Sequence, residues 1–293
     1  MQLGSFDRRH LQGDITVQLG DSGNLPGRLV GVVRDSGMQT DEIDDDRIYI
    51  APSITWRGER SNLIVLASYQ RDDTASSQQF LPVVATLRAP PGCKLDPGTF
   101  LGDKNLDKLE SRVASATVLF DHALNDVVTW RSNWRYIDAK TDFLEIYADS
   151  YSNPEDPFVD DERRVVNRNI YGVKPNNRIL TADNSLQFDF ATGAFAHVLL
   201  AGVDYTDFRE ESSTFSGVTT PIDTYDPVST GVVVPDYLDM PDQRSTKTGV
   251  YAQDQIRWAD RVTMVLGARR DRVVSKTQGM PTRPTTKRPG AWA

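Results

Sequence analysis

Nowhere in the 293 residues does an apolar run approach the roughly 20 residues that a membrane helix requires, so helical spans are excluded. There is one cysteine, Cys93, and neither a disulfide framework nor a thiolate zinc site can form within the chain. Only three histidines occur, His10, His122 and His197, far apart and each placed by its neighbours on a strand or in a turn. H-E-x-x-H, G-x-S-x-G and the phosphate-cradling G-x-x-x-x-G-K-S/T are all missing. So is a basic excess: the net charge of −8 argues against a nucleic-acid backbone as partner. No catalytic constellation, metal site or cofactor site is expected, and the chain does not read as an enzyme. Met1 to Arg9 lack the apolar core of an export signal. Beside the pattern that follows, this predicts that the start of a longer protein is absent.

What is present is period-two alternation from one end to the other. Val128, Trp130, Ser132, Trp134 and Tyr136 share one face of a strand, while Thr129, Arg131, Asn133 and Arg135 share the other. Ile48, Ile50, Ile54 and Trp56 repeat the pattern, as do Val250, Ala252, Ile256 and Trp258, then Val262, Met264, Leu266 and Ala268. About ten strands are expected, near 10–20, 26–36, 46–57, 62–73, 111–123, 126–148, 164–191, 194–210, 243–259 and 261–275. Several exceed the five or six residues usual in soluble sheets.

The connections alternate short and long. Tight turns are expected near Gly23-Asn24, Gly58 to Ser61, Leu124-Asn125, Thr192-Gly193 and Asp260. Long loops are expected at 41–46, from Thr74 for nearly forty residues, at 149–163 and at 211–242. Turns sorted to one end and loops to the other are the mark of an outer-membrane β-barrel, whose apolar face meets lipid while its polar face lines the lumen. Trp56, Trp130, Trp134, Tyr136 and Trp258 suit an interfacial girdle, or equally the core of a soluble sheet. Acidic runs at Asp41, Glu42 and 44–46, and at Asp160, Asp161 and Glu162, lack the spacing of a calcium loop and read as solvated charge. Residues 276–293 are expected to form an irregular basic tail, the end of a truncated or shifted reading frame.

Several segments resemble the barrel of TonB-dependent siderophore receptors of the ferrichrome type. They are Ile50-Ala51-Pro52-Ser53-Ile54-Thr55-Trp56-Arg57, Ala67-Ser68-Tyr69-Gln70, Phe80-Leu81-Pro82 and Phe188-Asp189-Phe190-Ala191-Thr192-Gly193. Leu199 to Tyr205, Thr248-Gly249-Val250-Tyr251-Ala252-Gln253-Asp254-Gln255 and Leu266-Gly267-Ala268-Arg269 complete the ordered set.

The resemblance implies an all-β, antiparallel transmembrane barrel of about 22 strands with an amino-terminal plug, of which residues 1–275 supply about ten. It implies an outer-membrane receptor for ferric siderophores, with lipid and the TonB complex as further partners, the latter reached through a plug that is not in this sequence. It places ligand contacts at Phe80 and Tyr147, while Gln78 and Asp149 stand where the ferrichrome type has aromatics. The alternative from another class is a complete ten-stranded outer-membrane barrel enzyme. If only part of a barrel is present, an open curved sheet with two unpaired, aggregation-prone edges is expected.

Overall fold

Alternating apolar and polar side chains satisfy a sheet with unlike surroundings on its two faces, and the chain builds one such sheet almost to the exclusion of other structure. The computed structural model describes residues 1–259, 261–278 and 283–287. Its strands are β1 (Gln2–Leu3), β2 (Arg9–Gln18), β3 (Pro26–Asp35), β4 (Asp45–Arg57), β5 (Ser61–Thr74) and β6 (Lys108–Ala123). They continue with β7 (Val128–Ala148), β8 (Val165–Thr192), β9 (Phe195–Asp223), β10 (Leu238–Asp239), β11 (Gln243–Trp258), β12 (Val262–Thr277) and β13 (Arg283–Lys287).

All pair antiparallel with their sequence neighbours, except that β10 caps the free edge of β9 and β11 passes on to pair with the lower part of β9. The sheet is open, ending at β1 and β13. A closed ten-stranded barrel, the alternative architecture, is therefore not what forms.

The ten expected strands correspond to the ten long ones, with two corrections. The strand expected to stop at 210 runs to Asp223, pairing along its whole length with β8. It continues because β8 is itself 28 residues long and its main-chain groups need a partner. The stretch expected to be an irregular tail contains β13, which pairs Arg283 with Ser275 through to Lys287 with Asp271. Residues 279–282 and 288–293 of that expected tail, and Asp260 of the last expected turn, lie outside the described residues.

One face carries a band whose height is set by chemistry. Counting from the short turns, it holds Trp56, Ile54, Ile50 and Ile48 on β4, and Leu63, Val65, Ala67 and Tyr69 on β5. Phe120, Val118, Ala116 and Ala114 continue it on β6, and Trp130, Trp134 and Tyr136 on β7. On β9 it runs from Phe195 to Tyr205.

Beyond the band the same face turns abruptly ionic: Arg71 and Asp73, Arg112 and Glu110, Asp138 and Lys140, Asp207 and Arg209. About nine to eleven residues per strand is what a tilted β-strand needs to cross hydrocarbon. Tryptophans Trp56, Trp130 and Trp258 mark the turn end, and Tyr69, Tyr136 and Tyr205 the loop end, as two interfacial girdles would. Many of these side chains are exposed in the chain by itself, Trp134 at 46% and Val250 at 49%.

The opposite face is polar and cross-linked. The Tyr251 hydroxyl donates to both carboxylate oxygens of Asp183, at 3.0 and 2.9 Å, and Arg269 donates to Asp204 and Asp271. Gly202 permits this packing, since a Cβ there would lie 2.5 Å from the Tyr251 ring. The long strands β7, β8 and β9 stand well clear of the band. The only extensive hydrophobic cores among the described residues lie there, at the loop end, around Ile146, Ile170 and Phe215 and around Leu101, Ala148, Val166 and Ile222.

Candidate functional site at the loop end

Tyr147 lies near the end of β7, one residue before the strand stops, and its side chain is on the polar face. Three aromatic rings meet there. Phe80 stands 5.2 Å from Tyr147 between centroids at 46°, and 5.8 Å from Tyr151 at 61°. Tyr147 and Tyr151 stack at 6.4 Å and 25°. The trio forms a flat amphipathic platform. Asn169 on β8 donates to the Tyr151 hydroxyl at 2.9 Å, fixing that ring against the sheet. Burial, the Tyr151 hydroxyl and the carboxylates of Glu145 and Asp149 push the Tyr147 phenol up to about 12, so it stays neutral at any ordinary pH.

Phe80 is 41% exposed and holds a left-handed backbone, φ 49°, uncommon for an aromatic residue. The loop around it is over-determined. Ser150 donates from its hydroxyl to the Phe80 carbonyl at 2.5 Å. Next to Phe80, Gln79 is buried; its Oε1 accepts the Leu101 N–H at 2.7 Å and its amide donates to the Ser76 carbonyl. One side chain thereby ties the two limbs of the 75–107 loop together beneath the exposed ring.

The far limb is fixed to the sheet by two buried ionisable groups. Asp107 accepts the Ile146 N–H at 3.0 Å on the β7 edge that β6 leaves open. Burial pushes its carboxyl up to about 8, against the lowering effect of that hydrogen bond, with Glu145 and Asp103 adding repulsion. Glu145 is itself raised by burial, opposed by a hydrogen bond from Ser76.

Arg168 is fully buried on the other face, cross-strand from Ala148. It donates to the carbonyls of Leu101, Gly102 and Thr220 and to the hydroxyls of Ser229 and Thr220. Ser229 in turn donates to Asp103 at 2.9 Å. The 75–107 and 224–242 loops are thus clamped to each other through β8. Between them and the 41–42 loop lies a cleft of about 570 Å³, whose charged lining includes Asp41, Glu42, Asp96 and Asp103 with Lys94 and Lys104.

Of the residues singled out in the sequence, Phe80 and Tyr147 are brought into ring contact across 67 positions of chain. Gln78 is exposed, its main-chain N–H bonded to the Ser76 hydroxyl. Asp149 accepts the Ser152 N–H at 3.3 Å, in the turn that presents Tyr151. Neither side chain stacks in the trio.

Tyr151, Gln79, Asp107 and Arg168 were not anticipated. Only Tyr151 carried a usable signal, as an aromatic four residues beyond Tyr147 where the strand gives way to a loop. The histidines are dispersed: His122 bonds Ser61, His10 lies by Gln12, and His197 lies between Thr192 and Asp254. Within the two acidic runs, Asp45 pairs with Arg34, and Asp160 accepts the N–H groups of Arg164 and Val165.

Known proteins share this architecture. The family model described as TonB dependent receptor-like, beta-barrel, matches residues 49–292. The ferrioxamine B receptor of Salmonella typhimurium strain SL1344 is 30% identical over 274 residues, 92% of this chain and 37% of that protein. The ferrichrome outer membrane transporter/phage receptor of Escherichia coli K12 is 28% identical over 292 residues, 88% of this chain and 37% of its own length. Among solved structures, the ferric-catecholate import receptor Fiu of E. coli K12, in its open form, superposes with a TM-score of 0.80 at 20% identity. That superposition covers 99% of this chain and 49% of the Fiu chain. At that identity the Fiu likeness concerns the fold alone. The chain spans little more than a third of the length of the curated relatives it matches.

Proposed function

The chain belongs to the TonB-dependent receptor-like β-barrel family, and from that premise we propose that it forms part of the wall of an outer-membrane receptor for ferric siderophores. The apolar band sits in lipid, the loop end faces outward, and the platform of Phe80, Tyr147 and Tyr151 receives the chelate. Transport in the intact receptor draws its energy from the TonB complex. The protein acts as a receptor and transporter and carries iron as cargo within its ligand.

The observation that supports this reading best is the meeting of Phe80, from the 75–107 loop, with Tyr147, from strand β7, on the polar face above the membrane band. A bulky, partly apolar chelate is held by flat amphipathic surfaces with few fixed polar groups. The neutral Tyr147 phenol adds a hydrogen bond without a charge that would compete for the iron.

The test is a fluorescence titration of the full 293-residue chain, refolded in detergent, with ferric trishydroxamates. Quenching that saturates, and that weakens by about tenfold in F80A and Y147A, is the expected result. No saturable quenching, or equal affinity in both variants, would remove the platform from ligand recognition.

A further inference from the structure

We infer that the loop end sorts ferric chelates by the sign of their charge, accepting cationic and neutral complexes and repelling polyanionic ones. The inference rests on the siderophore reading above and adds a substrate class to it.

The charge around the platform is one-sided. Residues 149–163, the loop that carries Tyr151, hold six carboxylates (Asp149, Glu155, Asp156, Asp160, Asp161 and Glu162) and one basic residue, Arg163. The neighbouring arginines are already occupied, while Lys94, in the loop that carries Phe80, makes no ion pair among the described residues. Arg88 faces Glu155 at 2.8 Å, Arg163 faces Asp156 at 3.3 Å, and Arg164 faces Asp223 at 2.8 Å. Arg168, the one fully buried arginine among the described residues, is turned to the opposite face of the sheet from Tyr147 and is engaged by carbonyls and hydroxyls.

A second observation lies at the platform itself. Glu145 shares the Tyr147 face two residues before it, is 7% exposed, and leaves its Oε1 with no hydrogen-bond partner. A buried acceptor of that kind is suited to a cationic or hydrogen-bond-donating arm of a ligand and hostile to another anion. The acidic 149–163 loop then acts at longer range. Its field concentrates cations at the mouth and lowers the encounter rate of anions, over a distance set by ionic strength.

The experiment titrates the refolded full chain with three ferric chelates. One is a linear trishydroxamate bearing a free ammonium (+1), one a neutral cyclic trishydroxamate, and one a tris-catecholate (−3). Each is measured at about 0.01 M and about 0.5 M salt. At low salt the cationic and neutral chelates should bind at least about tenfold more tightly than the trianion, and the gap should shrink at high salt. The double variant D149N/D161N should narrow the low-salt gap about threefold. The first of its two substitutions retains an acceptor for the Ser152 N–H, and circular dichroism of each variant checks that the sheet is intact. Equal or tighter binding of the tris-catecholate at low salt, or a gap indifferent to both salt and D149N/D161N, overturns the charge rule and leaves the receptor reading standing. Failure of all three chelates to quench overturns the receptor reading and this inference with it.

Discussion

Arg168 donates from one Nη to the carbonyls of both Leu101 and Gly102, at 3.0 and 3.1 Å, so a strand of the barrel holds a loop by its main chain. Because the acceptors are backbone carbonyls, the clamp is indifferent to most side chains in the loop and depends on the geometry of a single guanidinium. Burial pulls the Arg168 pKa down, with Asp103 and Asp107 opposing, yet an arginine remains charged under any such shift.

Replacing this residue with methionine should therefore free the 75–107 loop. The buried carbonyls lose their donors, a cost of about 3 kcal/mol, and the packing of Leu101 on Ala148 and Val166 loosens. Limited trypsin digestion reads the effect directly, through faster cleavage after Arg88 or Lys94. R168K should behave like R168M, since an ammonium cannot span the same fork of acceptors. Unchanged protection in both variants would show that the clamp does not hold the loop.

The second expectation concerns pH. Asp107 has a folded pKa of about 8 against 3.8 for an unperturbed aspartate, so between those values the folded chain binds the extra proton. Stability from this group is fully present below about pH 4 and is lost as pH rises towards 8, at no more than about 1.4 kcal/mol per unit. D107N keeps an acceptor for the Ile146 N–H and removes the titration. Loop protection against a protease active across about pH 5–9 should decline with rising pH in the parent chain and stay level in D107N. Parallel profiles would assign the pH response to another group.

Face parity supplies the third. Val118 lies mid-band on the apolar face of β6, whereas Asn133 lies on the polar face of β7 opposite Asp183. V118R should cost about 2–4 kcal/mol in a bilayer. N133K gains a cross-strand carboxylate and should be nearly neutral. Heat-modifiable migration after folding into lipid vesicles separates them: V118R should lose most of the folded band and N133K should keep it. Equal loss in both would mean that the two faces have been assigned the wrong way round.

Strand number and loop sorting were legible because, inside the band, lipid on one side and polar groups on the other impose a strict two-residue period. The same reasoning explains where the reading failed. From Glu211 to Thr214 β9 has left the band and carries no alternation, and pairing with β8, joined by β10 at Ser213 and Thr214, keeps it extended until Phe215 and Ile222 are buried beneath the loops. Phe80 and Tyr147 stood out through their resemblance to receptor positions. Gln79 and Arg168 could not, because each acts on main-chain groups that the fold alone brings near, and a buried arginine has the same letter in the sequence as a solvated one.

The sorting of connections by length also has a kinetic meaning. Short turns such as 58–60 and 193–194 span only two or three residues and can be carried through hydrocarbon at limited cost, even with Glu59 and Arg60 in the first. The 75–107, 149–164 and 224–242 segments, long and rich in carboxylates, cannot. Insertion is therefore vectorial. The hairpin tips lead, the acidic loops trail and never leave water, and the finished protein has one orientation without any device to select it.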